Sequence, residues 1–228
     1  MIYQKKRFKK VQIFYMNIRK RDILLALLLT IFFISFAVTF TVFFKPLYYF
    51  DIKYLGIDEA VNMSVSTIKE NYNILINYQS IFFTGELNFP DFIMSESGRI
   101  HFEEVKHIFV ALQVLMVVSG IASLPLIYKN YKKKEYDYLK LTSILSLGIP
   151  LIIGLIASID FSWAFTLFHK IVFNNDYWLF DSRTDPIINI LPETFFMHAF
   201  IMIVVIIIGF SLISYLIYRK KKKEILGV

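Results

Sequence analysis

The sequence predicts an all-α integral membrane protein, with four transmembrane helices and a small, mainly helical extracytoplasmic cap. Three observations predict it. Hydrophobic residues make up 57% of the 228, aromatic residues 18%, and mean hydropathy is +0.57, above the roughly 45–50% apolar share of soluble domains. Four stretches reach the roughly 20 apolar helical residues that a hydrocarbon core requires. Lys and Arg gather in the segments that flank those stretches on one side.

The chain opens on a basic segment, 1–21, followed by the first span at 22–44, "DILLALLLTIFFISFAVTFTVFF". Its apolar run exceeds the 7–15 residues of a signal-peptide core and no small-x-small cleavage site follows, so it is read as an anchor helix. The second span is 107–128, the third 141–159 and the fourth 195–218. Segment 1–21 holds eight basic residues, loop 129–140 five and tail 219–228 five, which puts 18 of the 25 on one face. By the positive-inside rule that face is cytoplasmic, and both termini lie inside. The segments left outside, 45–106 and 160–194, carry seven basic residues against fourteen acidic ones. The formal charge of +7 is therefore a signature of topology, and a nucleic-acid partner is excluded. The chain has no Cys, which rules out disulfides, thiolate metal sites and a cysteine nucleophile.

The two outer segments read as folded. Thr67 and Glu70 have capping-box spacing, and Ile68, Tyr72, Leu75 and Ile76 then follow helical periodicity. Gly85 and Pro90 give turn and extended signals, and "SESG" suits the start of the helix that runs into the second span. Asp185 before Pro186 suits an N-cap and first helical position, and Pro192 suits the start of the fourth helix. The expected assembly is a helical cap lying over a four-helix bundle.

Histidines supply the candidate chemistry. His101 opens "HFEEVKHIF" just before the second span, and His169 lies on an aromatic stretch that leaves the third. His-x-x-Glu spacing puts His101 and Glu104 on one helical face, where the carboxylate could orient the ring. His107, six residues on, points elsewhere. His198 has entered the fourth span, where an ionisable side chain is a functional candidate by default and hydrogen-bonded packing is the alternative. Around His169, aromatic residues fill eight of twenty positions from Phe161 to Phe180, and the polar insertion "NNDYW" with "DSRTDP" interrupts them. Apolar walls with a few convergent polar groups suit a pocket for an amphiphile.

The segments "HFEEVK" and "FHKIVFNNDYWLFDSRTDPIINILPETFF" resemble the signature segments of the bacterial lipoprotein intramolecular transacylase family, and the resemblance extends to the four spans and the order of the segments. It implies that His101 and His169 are the catalytic pair, in a site between cap and membrane at the outer face of the bacterial cell membrane. The implied reaction moves the sn-2 acyl chain of a diacylglyceryl-cysteine lipoprotein to the α-amino group of the same cysteine, giving a lyso-form lipoprotein. An α-amino group titrates near 7.7–8.0 and imidazole near 6.5, so histidine can exchange these protons near neutrality without an acyl-enzyme. One histidine takes the ammonium proton and the other donates to the glyceryl oxygen or the oxyanion. Tyr177, Trp178, Phe168 and Phe173 are expected to clamp lipid, with Asn175, Asp181, Arg99 and Glu104 as polar supports. No cofactor and no metal are expected; the partners are diacylglyceryl-modified lipoproteins and membrane lipid. Two other readings compete: a non-enzymatic lipid-binding or accessory protein, and a metal-dependent hydrolase using His101, His169 and Glu104 or Asp160. The second lacks a His-Glu-x-x-His motif. A transporter lacks repeat symmetry and midplane charges.

Overall fold

The computed structural model describes residues 18–227, so most of the expected N-terminal basic segment, 1–17, lies outside the described residues. Helices account for nearly all of the regular structure: α1 (Lys20–Phe43), α2 (Lys45–Tyr54), α3 (Ile57–Val61), α4 (Val65–Tyr78), α5 (Glu96–Lys132), α6 (Asp137–Ile159), α7 (Phe161–Val172) and α8 (Glu193–Leu226), with a 3₁₀ turn at Pro186–Ile190 before the last. Four of them, α1, α5, α6 and α8, are long and apolar enough to cross a membrane. The fold class is thus all-helical with four such helices. No strand occurs among the described residues, and the stretch around Pro90 expected to be extended is irregular loop.

The chain divides into two compact units. The first takes in residues up to Ala37, Leu115–Ile152 and the chain from Val204 onward. Its helices meet through small and aromatic side chains: Phe33 stacks on Phe210 at 4.6 Å, and a Cβ on Gly120 would stand 3.2 Å from the Phe32 ring. At the basic ends, buried Asp22 accepts from Arg19 Nε at 2.7 Å and Asn130 Nδ2 at 3.2 Å, Glu135 pairs with Arg19 and Arg21, and Lys222 reaches Asp137 at 2.9 Å. Charge is thereby tied down where each helix ends.

The second unit takes in Val38–Val114 and Ile153–Ile203 and holds α2, α3, α4 and α7 with the first turns of α5 and α8. Its core gathers Tyr48, Ile52, Ile68, Tyr72, Ile187 and Phe195. Tyr48 stacks on Tyr72 at 3.7 Å and its hydroxyl donates to the Ile190 carbonyl at 2.6 Å, so the buried phenol is satisfied. The N-cap of α4 is Ser64, whose oxygen accepts from Thr67 N–H; the expected capping box at Thr67 and Glu70 sits one turn too late, because Thr67 already occupies the third helical position. Asp185 precedes the Pro186 turn as expected, but its carboxylate caps nothing there; it serves α5 instead.

Candidate active site

Each of the two expected histidines is delivered by a capped helix of the second unit. In α5 the cap is Ser95, whose Oγ accepts from Gly98 N–H at 3.0 Å, while Asp185 Oδ1 accepts from Ser95 N–H at 2.8 Å. This starts α5 well before the apolar stretch and places His101 on its second turn. At 37 residues the helix is about 55 Å long, more than a hydrocarbon core needs, which leaves its first turns available for a site. In α7, Asp160 Oδ1 accepts from Trp163 N–H at 2.9 Å, fixing the start of twelve residues whose last turn carries His169. The same helix leaves Trp163, Phe168 and Ile171 exposed and buries His169 to 9% exposure, so one face meets apolar surroundings and the other carries the imidazole.

The two rings meet, with centroids 6.0 Å apart and planes tilted by 39°. Phe173 lies against both, edge-on to His101 at 4.7 Å and nearly parallel to His169 at 5.6 Å. Phe180 stands 5.4 Å from His101, Trp178 4.9 Å from His169, and Phe165 4.2 Å from His169. Gly98 is what admits this wall. A Cβ there would overlap the Asp185 carboxylate and fall 3.2 Å from Phe180 Cε1, so a side chain would push the 180–185 stretch off the helix carrying His101.

Electrostatics distinguishes the rings. His169 Nδ1 lies 2.7 Å from the Phe165 carbonyl oxygen. Since a carbonyl can only accept, Nδ1 carries the proton and Nε2 keeps a lone pair in the neutral ring. Burial pushes the His169 imidazole below its ordinary value, against the carbonyl bond, which pulls it up. His101 is 6% exposed, and its Nδ1 is buried with no hydrogen-bond partner among the described residues.

The remaining expected residues divide. Asn175 Nδ2 donates to Glu104 Oε1 at 2.8 Å, and the Asn175 carbonyl accepts from Trp178 Nε1 at 3.1 Å, so the polar insertion is a turn hung on Glu104. Glu104 is therefore bound to Asn175 and not to the His101 ring, contrary to the role its spacing suggested. Trp178 and Phe173 line the imidazole pair, whereas Tyr177 is exposed and Phe168 touches His169 edge-on at 5.4 Å from a largely exposed position. Arg99 faces away, paired with Glu96 at 2.6 Å and Glu103 at 3.2 Å. Exposed Asp181 is held by Arg183, which brings its carboxyl down to about 2. His107 is exposed. His198 has a partner that sequence reading missed: both oxygens of fully buried Asp51 lie within 3.0 Å of its Nδ1. Phe165 and Phe180 also went unassigned. Phe165 was legible four residues before His169 on one helical face; Phe180 had no such signal.

No group of three or more His, Cys, Asp or Glu side chains able to hold a metal gathers among the described residues. A concavity of about 560 Å³ elsewhere in the unit is lined by Ala60, Val61, Met63, Phe92, Pro186 and Asn189, none of them titratable.

Four helices long and apolar enough to cross a membrane, and a second unit that buries two facing imidazoles inside an aromatic wall, define the class as a helical, membrane-integral protein. Residues 23–196 match the family described as lipoprotein intramolecular transacylase Lit, and the chain belongs to that family of acyltransferases. It is similar to the in meso structure of the membrane-integral lipoprotein intramolecular transacylase Lit from Bacillus cereus, with 39% identity and a TM-score of 0.87 over 90% of this chain and 95% of that one. Two further structures of the Bacillus cereus protein, each with one histidine replaced, by arginine in one and by alanine in the other, match at 35% identity and a TM-score of 0.81. They cover 98% of this chain and 96% and 97% of their own. No curated protein gives a significant match.

Proposed function

We propose that this chain transfers the sn-2 acyl group of a diacylglyceryl-cysteine lipoprotein to the α-amino group of the same cysteine, with His101 and His169 as the acid–base pair. The observation that carries the reading is the meeting of the two buried imidazoles at 6.0 Å within an aromatic wall, in a chain of the transacylase family. Burial and the fixed Nδ1 proton support His169 as the group that takes the ammonium proton, at Nε2. The freed amine attacks the sn-2 carbonyl carbon, a C–N bond forms, and the C–O bond to the glyceryl oxygen breaks. Of the two protons that nitrogen gives up, one ends on the glyceryl oxygen and one leaves to solvent. His101 donates to the developing oxyanion or to the leaving oxygen. Nucleophile and ester belong to one molecule, so the wall's main task is to hold the substrate bent, where proximity is worth up to about 7–11 kcal/mol. Trp178 and Phe173 serve that task and exclude water.

The proposed location is the outer face of the cell membrane, with both termini inside, supported by the distribution of basic residues. Mass spectrometry of lipoprotein N-termini from cells with and without this chain tests the reading. The expected result is N-acyl, S-monoacylglyceryl product only when the chain is present; its absence would sink the assignment.

A further inference from the structure

The imidazole pair accounts for the proposed proton movement but leaves one buried carboxyl oxygen unexplained. Glu104 sits one helical turn beyond His101 on α5. Its Oε1 accepts from Asn175 Nδ2 at 2.8 Å, whereas its Oε2 is buried with no hydrogen-bond partner among the described residues. The cations nearby in sequence are committed elsewhere. Arg99 pairs with Glu96 and Glu103, and Lys106 Nζ donates to the Phe83 carbonyl at 3.2 Å while lying 4.1 Å from the Tyr78 ring centroid. A buried carboxylate oxygen without a donor is costly, and native structures reserve such groups for a ligand or a function. Asn175 itself is locked. Its side-chain oxygen accepts from Tyr177 N–H at 3.0 Å and its carbonyl from Trp178 Nε1 at 3.1 Å, and that indole lies 4.9 Å from the His169 ring. The same turn therefore orients the carboxylate and one wall of the imidazole pair.

The geometry points to Glu104, held by Asn175, as the seat of a primary ammonium, the α-ammonium of the lipoprotein cysteine before it is deprotonated. The inference rests on the transacylase reading and adds the residue that selects the charged amine terminus. An ammonium brings three N–H donors and a positive charge, which is what a half-satisfied carboxylate lacks. It also explains why Glu104 is tethered by an amide and not by a cation, since a built-in Lys or Arg would occupy the place of the substrate. Seated there, the amine lies against the Asn175 turn whose Trp178 packs on the His169 ring at 4.9 Å, so binding and deprotonation occur at neighbouring points of one surface.

The test uses the full chain in lipid nanodiscs and an ether-linked diacylglyceryl-cysteine lipopeptide, which has no sn-2 ester to transfer. Its affinity is compared with that of the same lipopeptide N-acetylated. The wild type is expected to prefer the free amine by about tenfold or more, the range of a charge-assisted hydrogen bond. Glu104→Gln is expected to bind both forms alike, with the acetylated form bound as by wild type. Asn175→Ala, which keeps the carboxylate and removes its tether, is expected to lose part of the preference. Either variant with an undiminished preference, or a wild type with none, overturns the seat. Turnover of the ester-linked lipopeptide by wild type is followed alongside. Transfer without amine preference sinks the seat alone, and absence of transfer sinks the transacylase reading itself.

Discussion

Two histidine sites lie within one unit of this protein, and they are built on opposite plans. His198 is met by a fully buried carboxylate, Asp51, at 2.9 Å, and its position fastens the first turns of α8 to α2. His101 and His169 are met by each other and by carbon, with one nitrogen of His101 left unbonded among the described residues and one nitrogen of His169 committed to a carbonyl. The first arrangement satisfies its polar groups and makes a joint. The second leaves capacity to accept and donate protons, and the proposed chemistry draws on that unspent capacity. Histidine content alone does not separate them, whereas the partner of each ring does.

The sharpest way to break this contrast is to remove the rings one at a time. His101→Ala and His169→Ala are expected to lower formation of the lyso product by about 10²- to 10⁴-fold, the usual scale for a general acid or base. Mass spectrometry of lipoprotein N-termini reads this, with membrane abundance unchanged and exposed His107→Ala close to wild type. Acidification is the next largest effect. Because the folded-state value for His169 lies below the ordinary 6.5, the ring is neutral at pH 7 and its Nε2 can accept; as pH falls through the lowered value that capacity is lost. The acid limb of a pH–rate profile should thus sit below 6.5 and fall about tenfold per pH unit; a limb above 6.5 would count against His169 as the base.

At the other site the prediction concerns stability. Asp51→Ala strands His198 without its buried partner and is expected to cost about 3 kcal/mol, read as a lowered thermal midpoint in detergent, with the pH profile of the surviving enzyme unaltered. A shifted profile would place His198 in the chemistry and erase the distinction drawn above. Gly98→Ala should cost about 1–3 kcal/mol through overpacking, and unlike Asp51→Ala it should also lower turnover, because the displaced stretch carries Phe180. The smallest effects belong to Arg99→Ala and Asp181→Ala, with thermal midpoint and turnover both close to wild type, since both side chains lie in exposed, solvent-screened pairs.

The fold class and the imidazole pair were legible in the sequence for different reasons. Hydropathy is a local, additive property, so Lys20–Phe43 and its three counterparts stand out without any knowledge of packing. The pair became legible only through its setting in "HFEEVK" and the aromatic run after Phe161, and its meeting across 68 positions could be expected from resemblance but not from spacing. What escaped was long-range and polar. Glu104 and Asn175 stand 71 residues apart, and Asp51 and His198 stand 147 apart. Nothing near either member announces the other. Near at hand, helical spacing put Glu104 on the face of His101, which was geometrically right but chose the wrong hydrogen-bond partner. The cap of α4 was misplaced by one turn for a similar reason: Ser64 and Thr67 both suit a cap, and only the backbone decides between them.

The bond from His169 to Phe165 carries one last implication. An imidazole can serve as a wire, receiving a proton on one nitrogen and releasing it from the other. With Nδ1 clasped by the carbonyl four residues earlier in its own helix, this ring is a dead end. Whatever enters at Nε2 must leave from Nε2, so donor and acceptor have to visit the same edge in turn. That requirement constrains the proposed transfer: a proton taken from the amine at Nε2 can pass on, to His101, to the substrate or to solvent, only across that same edge.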